Sequence, residues 1–311
     1  MHRPDSPLLQ REALRVAAVC SAVAEGNLNA LRDLERDGCV RGYTEGIKQI
    51  NRGFYTDFGT PLLGCIQPTQ GFYRRFGYAG VLEAVEILVR NGADLSAEGM
   101  HSHANALDMA AMHGDPALVT FLLDNGCAVN RRNIKGETAL YGTRRVDVMQ
   151  VLVERGADLA NRSLDGWTPL HQFTFFGHAH HQQQHVQLLI DAGADVNAVD
   201  NNNETPLYHA VYSSDRDMTE ILLANGANID TVSTVYGFTV LTMATRPGPV
   251  HPCLQPIQEE IQRRAAILAE ANRVANWEAF AMGLHDRLGR ESIVHDLDEN
   301  LARMVLREHD V

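Results

Sequence analysis

Cysteine is sparse and scattered in this chain of 311 residues: Cys20, Cys39, Cys65, Cys127 and Cys253 are five in number, with no C-x-x-C among them. An odd, dispersed set gives no disulfide framework. It predicts reduced, mostly buried thiols and a cytoplasmic or nuclear location. Long apolar runs are missing too. The longest, Val16–Ala24, is far below the ~20 residues of a membrane span, and Arg11, Glu12 and Arg15 interrupt any secretory core. No membrane is therefore expected as a partner. Positive charge is in deficit, for the net charge is −12. That argues against broad phosphate binding and hence against nucleic acid. Catalytic signatures are also lacking: no G-x-S-x-G, no G-x-x-x-x-G-K-[ST], no H-E-x-x-H and no G-x-G-x-x-G between a strand and a helix. The expectation is a protein that is not an enzyme and carries no cofactor.

What is present is repetition. From Asp165 to Asn197 the chain reads D-G-W-T-P-L-H, a His-rich segment, then V-Q-L-L-I-D-A-G-A-D-V-N. Pro169 suits a first helical turn, where its missing N–H costs nothing, and Thr168 before it can accept from an orphan helical N–H. Val186–Ile190 reads as a second helix, and Gly193 can take the left-handed conformation that ends it. One such pair cannot bury its own apolar face, so copies must lie on either side. They do. Thr205-Pro206-Leu207 leads to Gly226-Ala227-Asn228, Thr138-Ala139-Leu140 to Gly156-Ala157-Asp158, Ala106-Leu107 to Gly126-Cys127-Ala128, and Thr60-Pro61-Leu62 to Gly92-Ala93-Asp94. Weaker units stand at Ala17–Val40 and Tyr236–Leu268.

In this order of motifs the chain resembles the ankyrin repeat family over about residues 10–270. The resemblance implies an all-α solenoid of six or seven helix-hairpin repeats, a short helical C-terminal extension, and a non-catalytic role in protein–protein interaction through the concave face. The expected organisation is a solenoid over 1–272, with an N-terminal cap at about 6–40 and an insertion at about 67–80, followed by an extension over 273–311. The cap begins at Ser6-Pro7, with helices over Leu8–Glu25 and Leu28–Arg36. The insertion, Q-P-T-Q-G-F-Y-R-R-F-G-Y-A-G, is read as a surface loop between two helices. The repeat at Thr138 is three residues shorter to its Gly156 than the one from Thr205 to Gly226, which predicts a clipped helix pair. Arg246–Pro252 is a stiff loop with three prolines, and Ile257–Val274 a helix with Ile257, Ile261, Ala265 and Leu268 on one face.

Contact residues are expected on the loop tips. Arg131, Arg132 and Lys135 lie on one tip, Arg162 and Trp167 on the next, near Arg144 and Arg145, with Tyr73, Arg74 and Arg75 in the insertion. Arginine and tryptophan are enriched at interface hot spots. The expected partner of a monomeric chain is a protein offering an acidic segment with an apolar anchor. Two other readings exist. Leu297, Leu301 and Val305 lie in a stretch that resembles the first helix of an F-box, and the truncated F-box-like tails of some ankyrin-repeat proteins of large DNA viruses. Those families place proline where Asp298 stands here. The resemblance implies a substrate receptor of a ubiquitin ligase. Lastly, His171, His178, His180, His181 and His185 cluster in sequence, with His181 and His185 at a spacing able to grip a metal. His171 sits in T-P-L-H, where the family uses it for hydrogen bonds between loops. No cysteine or carboxylate partner stands at fixed spacing, so the expectation is no metal.

Overall fold

A computed structural model of the chain describes residues 7–38, 60–66, 71–99, 103–175, 182–245 and 251–288. The chain divides into two compact units, Met1–Cys253 and Leu254–Val311. Among the described residues there are helices and loops and no strand. In order they are α1 Pro7–Ala24, α2 Leu28–Arg36, α3 Pro61–Ile66, α4 Gly71–Arg90, α5 Ala106–His113, α6 Pro116–Asp124, a 3-10 turn Ala139–Gly142, α7 Val146–Glu154, α8 Pro169–Phe175, α9 Gln182–Asp191, α10 Pro206–Tyr212, α11 Arg216–Ala224, α12 Val240–Ala244 and α13 Leu254–Leu288.

Local chemistry sets the helix ends. Asn105 and Asp108 form a reciprocal capping box on α5, each side chain accepting from the other's backbone N–H at 2.9 Å. Asp115 accepts from the amides of Ala117 and Leu118 to start α6, with Pro116 in its first turn. Thr205 and Asp215 cap α10 and α11 in the same way.

The first unit packs as two rows. α1, α3, α5, the 3-10 turn, α8, α10 and α12 touch in succession along one row, and α2, α4, α6, α7, α9 and α11 along the other. The motif leucines face each other between the rows. Leu62, Leu107, Leu140, Leu170 and Leu207 of the first row are buried, as are Leu88, Leu122, Leu152, Leu189 and Leu222 of the second. Each contributes about 1.5–3 kcal/mol by leaving water. No repeat closes this core alone, so stability belongs to the stack. From α3 onward the helices of the first row are the shorter ones: α8 and α10 have seven residues, against ten in α9 and nine in α11.

The clipped repeat is found as expected. Its first helix shrinks to the four residues of the 3-10 turn, with Thr143 closing it in extended conformation. The insertion differs from expectation. Gly71 to Gly80 form the first half of α4 rather than a surface loop, and residues 67–70 lie outside the described residues. Gly77, at φ 61° and ψ −163°, is non-helical, so two helical segments of α4 meet there at a kink. Tyr78 beyond the bend donates its hydroxyl to the carbonyl of His113, at 3.0 Å. That bond and the helical backbone account for residues 71–80, the described part of the insertion.

In the second unit α13 runs through positions 272 and 273 without a break, so the expected boundary there falls inside one helix. The expected face is not carried along it either. Ile257 is buried and Ile261 half-buried, whereas Ala265 and Leu268 stand exposed. No helix of the described residues is long and apolar enough to cross a membrane.

Candidate partner-binding surface

Four consecutive loops share one construction. Each is closed at its base by a backbone bond, Asn133 N–H to Glu137 O, Ser163 to Trp167, Asp200 to Glu204 and Ser233 to Phe238, at 2.8–3.0 Å. At the tip, Gly136, Gly166, Asn203 and Gly237 take positive φ of 75°, 80°, 59° and 67°. The tips are then joined to one another. Leu164 N–H donates to Lys135 O at 2.8 Å, Asn201 N–H to Asp165 O at 3.2 Å, and Thr234 N–H to Asn202 O at 2.9 Å. Below the tips, Asn130 clamps the carbonyl of Gly156 and the amide of Asp158, and Asn197 does the same to Gly226 and Asn228. Backbone polar groups that would otherwise need water are satisfied between repeats. The result is a continuous row of tips held at fixed spacing.

The arginines expected to meet a partner are part of that joinery. Arg131 pairs with Glu98 and, at 3.4 Å, with the buried carboxylate of Asp108, and donates to the carbonyl of His103 at 3.2 Å. It ties its tip back to the preceding repeat. Burial pushes Asp108 above the usual carboxylate range, although its bond from Asn105 N–H and the nearby Arg131 charge oppose this. Arg132 donates to the carbonyls of Gly136 at 3.1 Å and of Arg162 at 2.6 Å, and Arg162 donates in turn to the carbonyl of Val199. Arg132 and Arg162 hold equivalent places, so the same bond recurs from repeat to repeat. Both keep exposed surface, and Lys135 and Arg144 are exposed as well. Arg145 pairs with Asp147 and lays its stem over Gly114, where a Cβ would meet its Cδ at 2.7 Å. Tyr73, Arg74 and Arg75 belong to α4, but their side chains lie outside the described residues, as do Leu297, Leu301 and Val305. Charge reversal at Arg131 is expected to cost about 2 kcal/mol of stability, because it sets three carboxylates together at a partly buried joint. Urea unfolding of Arg131→Glu beside Lys135→Glu checks this; the lysine variant should unfold like the wild type.

Trp167 is half-buried rather than presented at a tip. Its Nε1 donates to Asp200 Oδ2 at 3.2 Å, and its ring lies 5.1 Å from that of Phe175 and 4.9 Å from that of His209. Asp200 is the centre of this joint. Its Oδ1 accepts from the amides of Asn202 and Glu204 at 2.8 and 2.9 Å, and its Oδ2 also lies 3.3 Å from His209 Nε2. Burial opposes its charge, yet the bonds from His209 and the two amides outweigh burial and hold the carboxyl below its ordinary range. Glu204 accepts from Ser233 Oγ at 2.7 Å. Asp200, Glu204 and His209 are near enough to share a cation, but Trp167, Ser233 and two amides already use their oxygens as structural acceptors.

The histidines cluster in sequence, but the two that are described do separate things. His171 is buried, accepts from Thr168 N–H on Nδ1 at 3.1 Å, and donates from Nε2 to Glu204 O at 3.1 Å. His185 is buried with its ring stacked on Phe173 at 5.1 Å. His178, His180 and His181 lie outside the described residues. The group a sequence reading passes over is large and apolar: Ile134 is 54% exposed, Leu164 69%, Val235 58% and Tyr236 52%, all on the tips. Their signal was positional. Each stands one or two residues before the positive-φ glycine of its loop.

Stacked helix pairs joined by bonded loop tips define a repeat protein of the interaction type. Residues 103–233 are ankyrin repeats: the family model described as ankyrin repeats (3 copies) matches residues 137–233, and that of a single ankyrin repeat matches residues 103–134. The chain is 31% identical over 133 residues to human ankyrin repeat and SOCS box protein 6, covering 40% of this chain and 32% of that one. It is 34% identical over 147 residues to human neurogenic locus notch homolog protein 2, covering 46% of this chain and 6% of that one. A putative ankyrin repeat protein of fowlpox virus is 28% identical over 158 residues, covering 48% of this chain and 46% of that one. The matches thus span less than half the length of each of these relatives.

Proposed function

We propose that the chain is a non-catalytic binding module that captures a partner protein on the loop tips and the adjoining first-row helices. The observation that carries this is the exposed pair Ile134 and Leu164, on tips joined by a direct backbone bond. Exposed Arg132, Lys135 and Arg162 surround them. A large apolar side chain of the partner would rest on the pair while its carboxylates meet the cations, which fits an acidic segment with an apolar anchor. Arg131 and Trp167 support the surface from below, since their polar groups are used within the stack. A photoreactive side chain at position 164 should crosslink the partner in a host extract, and one at position 154 of α7 should not. The reverse pattern, or equal yields, would remove the tips from the interface.

A second reading takes the chain as a ubiquitin-ligase substrate receptor, recruited through Leu297, Leu301 and Val305. The relative whose name joins ankyrin repeats to a SOCS box favours keeping it. Deleting residues 289–311 would abolish recovery of a ligase adaptor while leaving partner capture intact. Recovery of the same proteins with and without the tail would discard the reading.

A further inference from the structure

We infer that the row of tips reads one extended partner segment in two chemical registers: acidic where it crosses Arg132–Lys135 and Arg162–Asp165, uncharged and apolar where it crosses Val232–Tyr236. This rests on the tips being the contact surface, as proposed above.

Three observations carry it. The tips form one structural line, because each of the last three is bonded to its predecessor through the backbone. A segment seated on the first two tips and running along the row therefore reaches the fourth. The chemistry changes along that line. At the first two tips exposed Arg132, Lys135 and Arg162 outnumber exposed Asp165 and flank Ile134 and Leu164. In the fourth loop, Thr231–Phe238, there is no charged residue at all, in a chain of which 21% is charged. Val232, Val235 and Tyr236 are nevertheless exposed there, at 46%, 58% and 52%. Between the two stretches stand Asn201 and Asn202, exposed and uncharged. These neither attract nor repel a passing chain.

The fourth tip also ends the bonded line. Among the described residues no later loop pairs with Thr234–Tyr236, although each earlier tip offers its carbonyl to the next. An added extended segment can pair with such an edge through its backbone, with side chains supplying selectivity. An acidic segment there would lose solvation and meet no cation in the loop, with exposed Asp230 beside it. The occupant that fits both halves is thus a single polypeptide segment of a partner, with Glu or Asp around one large apolar residue, followed or preceded by β-branched and aromatic residues.

The test uses the full chain and synthetic peptides in fluorescence anisotropy. The probes are a Glu-Leu-Glu half, a Val-Thr-Tyr half, and the two joined in either order by a short Gly-Ser spacer. One joined order is expected to bind at least about tenfold tighter than the acidic half alone. Val235→Ser with Tyr236→Ser should bring that affinity back to that of the acidic half, with thermal melting unchanged. Lys135→Glu with Leu164→Ser should weaken both the joined peptide and the acidic half, and the weakening should shrink in high salt. Equal binding of the joined peptide and the acidic half, or indifference to the Val235/Tyr236 change, would overturn the two-register reading and leave the module itself standing. Crosslinks from a partner to α7 and α11 rather than to the tips would remove the module's contact surface and this inference with it.

Discussion

His171→Ala is expected to lower stability by about 3 kcal/mol at pH 7 and to flatten its loss in acid. The ring is buried between two repeats and bonded at both nitrogens, accepting from Thr168 N–H and donating to the carbonyl of Glu204. Removing it leaves one buried donor and one buried acceptor without their partner, each costing about 1–3 kcal/mol, and a cavity besides. The pH dependence follows from the burial. Burial, with nearby His209 adding to it, outweighs the bond to Glu204 O and pushes His171 from 6.5 down to about 4. A folded-state value below the unfolded one means stability fully present above pH 6.5 and lost as pH falls toward about 4. Over that span the loss is about 3 kcal/mol from this group. Carboxylates also titrate toward the acid end, but they are common to wild type and variant and cancel in the comparison. Asp200 is held low and charged through the window, and Asp108, raised by burial, stabilises as it takes up a proton. The measurement is urea unfolding at several values between pH 7 and 4.5, comparing wild type with His171→Ala. Parallel curves would show that this ring carries none of the acid sensitivity.

Gly166→Ala should destabilise by about 3 kcal/mol or more, and Gly156→Ala by only about 1–2 kcal/mol. Both glycines sit at positive φ, 80° and 82°, where an L side chain costs about 1–2 kcal/mol. They differ in what surrounds them. A Cβ on Gly166 would meet Asn201 Oδ1 at 2.4 Å and Asn201 N at 2.6 Å, while one on Gly156 meets nothing within 4 Å. Asn201 cannot yield cheaply, because its amide is bonded to Asp165 O and its side chain to Leu164 O at 2.8 Å. The strain falls on the bond between the second and third tips. Gly166→Ala should therefore also weaken capture of any partner laid along the row, whereas Gly156→Ala should spare it. Thermal melts beside anisotropy with the joined peptide separate the two. Equal melting temperatures for both variants would contradict the close approach at Asn201.

The repeats were legible in sequence because each needs the same few residues for local reasons. Pro and Thr open a first helix, leucines at fixed offsets face the core, and Gly ends the second helix. The clipped repeat was legible too, for three missing residues remove most of a helical turn. The insertion was misread because a helix bent at glycine looks, in sequence, like a loop with aromatics. The arginine stripe was legible as a location and not as a role. Arg131 and Arg132 look alike in sequence, and only folding brings Glu98 and Asp108 to one and the carbonyl of Arg162 to the other.

By itself, then, the order of residues determined that this chain stacks helical pairs, where each pair begins and ends, and that its loops project in register. Those outcomes depend on backbone preferences and on apolar spacing within one repeat. The tertiary structure alone decided which charged and aromatic side chains are spent between repeats and which remain on the surface. Partners for Arg131, Trp167 and His171 lie 23 to 33 residues away in sequence. Only the closed stack, which excludes water from those joints, makes the bonds form.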